Sequence, residues 1–180
     1  VDIRNVEVVP TPTGHAIIQV SERGENSIVV HGGANRELSN AQMERACADL
    51  GDRDWVLLQN ETNASEFVFA EASKRGFRVI LNPSPLDSSL LDLPLDRVDT
   101  FLINEVEGEA LAGEDDPERV LVAMRKRFPT ADIVLTLGDQ GAAFSGRDGT
   151  AAYARAENVA VIDTTGAGDT FAGFYLAAVL

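Results

Sequence analysis

A mostly parallel α/β sheet with helices on both faces is the fold class this sequence predicts, and three observations predict it. Short apolar runs of strand length recur at 55–59, 77–81, 100–103 and 133–136. The segments between several of them carry helix-start and helix-stop residues rather than two-residue hairpin turns. Polar residues follow the runs closely, where an open α/β sheet holds its ligands. Strands alternating with helices imply right-handed crossovers, hence a three-layer helix–sheet–helix arrangement.

Taken in order, residues 1–35 read as extended. Ala16–Val20 and Ser27–His31 are β-rich, and Ser21–Asn26 between them has turn composition. Such a hairpin cannot bury both faces alone, so it must lie over something. Ser39 with Gln42 makes a capping-box pattern for a helix to about Leu50. Trp55–Gln59 reads as a strand buried on both faces. Asn63 with Glu66 starts the next helix and Gly76 ends it. Phe77–Leu81 and Thr100–Ile103 are strands, and Pro117 behind Asp115-Asp116 opens a helix to about Phe128. Ile133–Thr136 precedes a hairpin turning at Arg147-Asp148-Gly149.

Composition narrows the function. A net charge of −14 on 180 residues excludes a nucleic-acid binder, which needs a basic surface, and disfavours docking on anionic membrane. No stretch approaches the ~18 apolar residues of a membrane span. One cysteine, Cys47, allows no internal disulfide, fits a reducing cytoplasm, and reads as a buried, inert thiol. His15 and His31 read as surface or packing residues of the hairpin, and Trp55 as a core residue.

The most informative segment is Asp163-Thr164-Thr165-Gly166-Ala167-Gly168-Asp169-Thr170-Phe171, which runs directly into the apolar stretch Ala172–Leu180. It sets a glycine turn on the nose of a helix, where main-chain amides and the helix dipole favour an anion. A carboxylate in such a pocket suits the removal of a proton from a hydroxyl attacking that anion. Turn plus Asp169 reads as phosphoryl transfer to an alcohol. The plainer alternatives are a tight loop and an aspartate that merely caps the helix. From Phe171 onward this helix has no charged residue, and nothing further in the sequence covers it. With Val1 at the other end, the expectation is an internal piece of a longer protein.

Asp163–Phe171 resembles the C-terminal signature of the ribokinase-like (phosphofructokinase B type) sugar kinases. In chain order, Gly24–Val30 with Gly33-Ala34-Asn35, Gln59-Asn60-Glu61, Asn82–Pro85, Asn104–Glu107 and Thr136-Leu137-Gly138 resemble other motifs of that family. The resemblance implies the ribokinase-like three-layer αβα fold, residues 1–35 being lid strands and 36–180 the nucleotide- and sugar-binding core. It implies ATP-dependent phosphorylation of the terminal hydroxyl of D-ribose, giving ribose 5-phosphate and ADP. Fructose, 2-keto-3-deoxygluconate or a nucleoside is the alternative acceptor, and a non-catalytic sensing module the alternative class. It further implies a cytoplasmic homodimer joined through the lid.

The same resemblance assigns roles. Asp169 would be the base, with Gly166, Ala167 and Gly168 holding the transferring phosphoryl group. Glu61, Gly33 and Asn35 would bind the sugar. Asn104, Thr136, Gly138 and Gly141 would bind ATP, Glu107 would handle Mg²⁺ through water, and Asp163 with the Thr165 carbonyl would hold K⁺. Glu107 could equally favour a helix N-terminus, Asp163 could be a cap or ion-pair partner, Glu61 a helix-leading acid and Asn35 a turn residue. Members of the family often carry a basic residue before the second glycine of the nucleotide loop; here Gln140 precedes Gly141. The family's early Gly-Gly sugar motif and the C-terminal part of its nucleotide and cation site are missing, so these residues alone are expected to be weakly active or inactive.

Overall fold

The computed structural model of the chain describes residues 2–20, 26–161 and 163–180. In a two-stranded sheet, β1 (His15–Val20) pairs antiparallel with β2 (Asn26–His31), His15 lying opposite His31. The expected turn between them, Asn26 excepted, lies outside the described residues. The second sheet has six strands in the order β3 (Trp55–Gln59), β4 (Arg78–Asn82), β5 (Thr100–Asn104), β6 (Asp132–Thr136), β7 (Ala142–Ser145) and β8 (Ala151–Ala154). As expected, β4, β5 and β6 run parallel, and a β6–β7–β8 meander is antiparallel. The helices are α1 (Asn40–Cys47), α2 (Ser65–Arg75), α3 (Glu105–Ala112), α4 (Pro117–Arg127) and α5 (Ala167–Val179). Among the described residues, no helix is long and apolar enough to cross a membrane. The chain divides into two compact units, Val1–Val79 with Ser84–Pro94, and Ile80–Pro83 with Leu95–Leu180.

In the first unit, the Ser39 hydroxyl caps α1 by accepting from the Gln42 amide at 3.2 Å. The reciprocal half of the box is missing, because the Gln42 side chain donates to the Asn5 carbonyl. Asn63 does not cap α2. It accepts from the Leu38 amide and donates to the Leu38 carbonyl, each at 3.0 Å, and α2 starts behind Ala64. Pairing with a distant segment satisfies two backbone groups where a cap would satisfy one, so it prevails over the local motif. Gly76 ends α2 in the left-handed region at φ 83°, as expected.

Strand β3 is a correction: it lies at the sheet's edge, with Leu58 buried but Leu57 46% exposed, so it is not buried on both faces. Arg78 lies over the Trp55 ring at 4.8 Å. Cys47 is buried as expected, and burial pushes its thiol up from the ordinary value. The hairpin leaves Ile17, Ile28 and Val29 about half exposed or more.

The second unit holds the denser core. Ile80 and Leu81, Phe101 to Ile103, and Ile133 to Leu135 are all buried, the unbroken pattern of parallel strands covered on both faces. Phe101 packs against Phe128, ring centres 4.7 Å apart. Asp116 caps α4 by accepting from the Arg119 amide, with Pro117 in the first turn as the sequence predicts. A methyl group on Gly108 of α3 would come within 2.9 Å of Val120 on α4 and 3.2 Å of Leu135 on β6, so this glycine lets helix and sheet approach closely. Arg147, in the turn of the β7–β8 hairpin, ties that hairpin to Asp132 at 2.8 Å and to the Asp99 carbonyl at 3.1 Å.

Candidate active site

Polar residues that the sequence places at strand exits, among them the expected nucleotide residues Asn104 and Thr136, end the parallel strands of the second unit. Asn82, Asn104 and Thr136 are the last residues of β4, β5 and β6, and Asn104 and Thr136 are register partners. Asn104 also opens α3. Its side chain accepts from the Glu107 amide at 2.9 Å, while the Glu107 carboxylate accepts from the Asn104 amide at 3.0 Å. Glu107 is 4% exposed, so the carboxylate expected to serve Mg²⁺ also locks the strand-to-helix turn.

Among the described residues, no three His, Cys, Asp or Glu side chains converge on a point. One buried carboxylate at a strand exit fits an ion that keeps its waters and takes further ligands from phosphates, rather than one needing a protein cage.

Thr136 donates to the Ile103 carbonyl at 3.4 Å, and a short helical turn, Gly138–Gln140, follows. The two loop glycines serve different ends. Gly138, at φ 55°, has nothing within 4 Å of where a side chain would start, so a ligand can approach its backbone. At Gly141, φ 115°, a side chain would run into the Ala154 carbonyl; this glycine lets β8's exit pass. The Tyr153 hydroxyl donates to the Gln140 carbonyl at 2.6 Å and holds the turn from the hairpin side.

The glycine turn expected from the sequence is present. Gly166 is the N-cap of α5 at φ 73°, its carbonyl accepts the first helical bond from the Thr170 amide at 2.9 Å, and Asp169 is the helix's third residue. Positions 163–170 are all exposed, and neither Gly166 nor Gly168 has an atom within 4 Å of a would-be side chain. First-turn amides have no carbonyl within the helix to receive them and point along the positive end of its dipole. The Ala167 amide donates to the Thr164 carbonyl at 3.1 Å, which closes the turn. Asp163 accepts from the Thr165 amide at 2.8 Å. That bond holds its carboxyl below the ordinary value, so it is ionised at neutral pH. A carboxylate and neighbouring carbonyls on one loop are oxygen donors suited to a hard cation.

The expected sugar residues belong to the first unit. Gly33, at φ 49°, packs so closely on the Pro12 carbonyl that no side chain fits, and Asn35 lies on the same short helical turn. Glu61 is exposed on the loop after β3. On either side of it, the Arg36 guanidinium donates to the Asn60 carbonyl at 3.0 Å and to the Thr62 carbonyl at 3.1 Å. The buried Asn60 fixes the loop from beneath, its amide donating to the Ser84 carbonyl and its side chain to the Pro85 carbonyl. The sequence reading missed Arg36. A lone arginine one residue beyond Asn35 carries no local signal, since its partners are carbonyls 24 and 26 positions away.

One glycine turn follows β6 and another opens α5 with a carboxylate in its first turn, in a unit whose parallel strands end in polar residues: the chain is an α/β protein with a largely parallel sheet. The profile of the pfkB family carbohydrate kinases matches residues 1–180, and the chain belongs to that family. It is 38% identical over 174 residues to the ribokinase of Haemophilus influenzae, covering 93% of this chain and 56% of that protein. It is 34% identical over 180 residues to the deoxyribokinase of Salmonella typhi, covering 94% and 58%. The structure of Arabidopsis thaliana ribokinase complexed with ribose and ATP matches with a TM-score of 0.74 at 29% identity, over 94% of this chain and 57% of that one. The ribokinase-like architecture is therefore shared, and the chain spans a little over half the length of these relatives.

Proposed function

We propose that this protein transfers the terminal phosphoryl group of ATP to the terminal hydroxyl of D-ribose, giving ribose 5-phosphate and ADP. The observation that carries this reading is the start of α5, where Gly166 turns the chain and Asp169 stands in the first helical turn. In the step, the sugar oxygen forms a bond to the γ-phosphorus as the bond to the ADP oxygen breaks, and the hydroxyl proton passes to the Asp169 carboxylate. The turn offers the main-chain amides of Gly166 and Gly168 to the phosphoryl oxygens, the Ala167 amide being taken by the Thr164 carbonyl. Positioning dominates such loose transition states, so a modest base held in place is sufficient.

Gly33, Asn35 and Glu61 bind the sugar, with Glu61 accepting from its hydroxyls. Asn104, Thr136, Gly138 and Gly141 line the nucleotide site; Glu107 would hold Mg²⁺, and Asp163 with Thr165 would hold K⁺. Mg²⁺, when bound, neutralises charge on the nucleotide phosphates. Residues 1–35 act as a lid and dimer contact and 36–180 as the core; the exposed Ile17, Ile28 and Val29 of the hairpin support that reading. The single buried thiol of Cys47 supports a cytoplasmic setting.

The similarity to a deoxyribokinase favours 2-deoxyribose as a second acceptor. A coupled assay of ADP release by the whole protein, run on ribose, 2-deoxyribose, fructose, 2-keto-3-deoxygluconate and a nucleoside, decides the acceptor. In that assay Asp169→Asn should lower kcat by about 10²–10⁴-fold. Unchanged turnover in this variant would remove the proposed base, and a preference for a sugar other than ribose would remove the proposed substrate.

A further inference from the structure

The two histidines of the sequence, His15 and His31, face each other across the base of the β1–β2 hairpin. They are direct cross-strand partners, both exposed, with ring centres 5.1 Å apart and planes tilted by 44°. No part in sugar or phosphate chemistry falls to them. Their ring-centre spacing admits a chelate: imidazole nitrogens bind zinc at about 2.0–2.1 Å, which places two rings on one tetrahedral ion with centres roughly 5 Å apart.

We propose that His15 and His31 form a two-imidazole site for a divalent transition ion of the Zn²⁺, Ni²⁺ or Cu²⁺ class. Imidazole selects such ions over Mg²⁺ and Ca²⁺, which take oxygen ligands. Two protein ligands make the site modest in affinity, with water completing the coordination. The ion would act as a staple. A two-stranded hairpin is marginal by itself, and a bond across its base ties the first residue of β1 to the last residue of β2.

That base is already fitted to the turn carrying Gly33 and Asn35. The Ala34 amide donates to the Pro12 carbonyl at 3.0 Å, and a side chain on Gly14 would come within 2.5 Å of the Gly32 carbonyl. Pinning the strands therefore also stiffens the approach to that turn.

The test uses the untagged chain, titrated with Zn²⁺ and followed by NMR of the histidine ring signals and by calorimetry. With only two histidines, each ring signal is assignable from one substitution. The expected result is one ion per chain, both rings shifting in parallel, slower amide exchange along β1 and β2, and no response to Mg²⁺. H15Q and H31Q should each abolish the calorimetric signal while leaving the circular dichroism spectrum unchanged, since both side chains are exposed. Undiminished Zn²⁺ binding in H15Q or H31Q, or ring signals that Zn²⁺ moves singly or not at all, overturns the proposal.

Discussion

Asn104 and Glu107 cap each other: the amide side chain of the first accepts from the backbone of the second at 2.9 Å, and the carboxylate of the second accepts from the backbone of the first at 3.0 Å. One carboxylate thus closes the strand-to-helix turn at the exit of β5 and is also the proposed Mg²⁺ partner. The two duties separate by substitution. Glu107→Gln keeps an oxygen for the cap and removes the charge; Glu107→Ala removes both. Chemical denaturation should show Ala losing about 1–2 kcal/mol and Gln little. A Mg²⁺ titration of turnover should show the Gln variant needing more Mg²⁺ for half-maximal rate. If Gln titrates like the unaltered protein, Glu107 is a cap alone.

Arg36 brackets Glu61 by holding the carbonyls of both its neighbours. A guanidinium fork can serve two acceptors in a fixed plane, which an ammonium cannot reproduce. Arg36→Lys and Arg36→Ala should therefore raise KM for the sugar, by about tenfold for Ala, the equivalent of ~1.4 kcal/mol. The KM for ATP should hold steady and kcat should fall little. Steady-state kinetics with each substrate varied in turn would show this split; equal rises in both KM values would point to general loosening instead.

The Arg147 clasp makes a prediction about pH. Burial pushes the Asp132 carboxyl up, but hydrogen bonds from the Arg147 side chain and amide outweigh it and bring the group below the ordinary value. The folded state then binds this proton less readily than the unfolded chain. The resulting stabilisation is complete above the ordinary carboxylate range, about pH 4, and is lost as pH falls through the lower folded value. Asp132→Asn should cost about 1 kcal/mol at neutral pH, a figure kept low because Arg147 is partly exposed. Urea denaturation from pH 7 to 3 should show that gap closing toward the acid end. A gap independent of pH would mean the bridge contributes through packing only.

Much of the fold was legible because its signals are local. Apolar runs of strand length, Gly76 after α2 and Pro117 at the start of α4 act through backbone geometry within a few residues, and each lies where it was expected. The turn at Gly166 was legible for the same reason: glycines directly ahead of an apolar helical stretch mark a turn, and Gly166 stands there in the left-handed region that glycine adopts without strain. Asn63 was misread because a distant pair of backbone groups, those of Leu38, competes for the same side chain. The half-covered β3 was misread because strand composition does not reveal which strand ends at an edge.

From residue order alone come the α/β class, the order of strands and helices, and the candidate residues at the strand exits, all set by short-range periodicity and stereochemistry. Tertiary structure alone decided that Gly138 and Gly166 border open space while Gly141 makes room for the chain's own backbone. It alone decided that Arg36 holds the Glu61 loop and that His15 meets His31. Those facts depend on contacts between segments far apart in the chain, and such contacts exist only once burial and hydrogen bonding have chosen which segments meet.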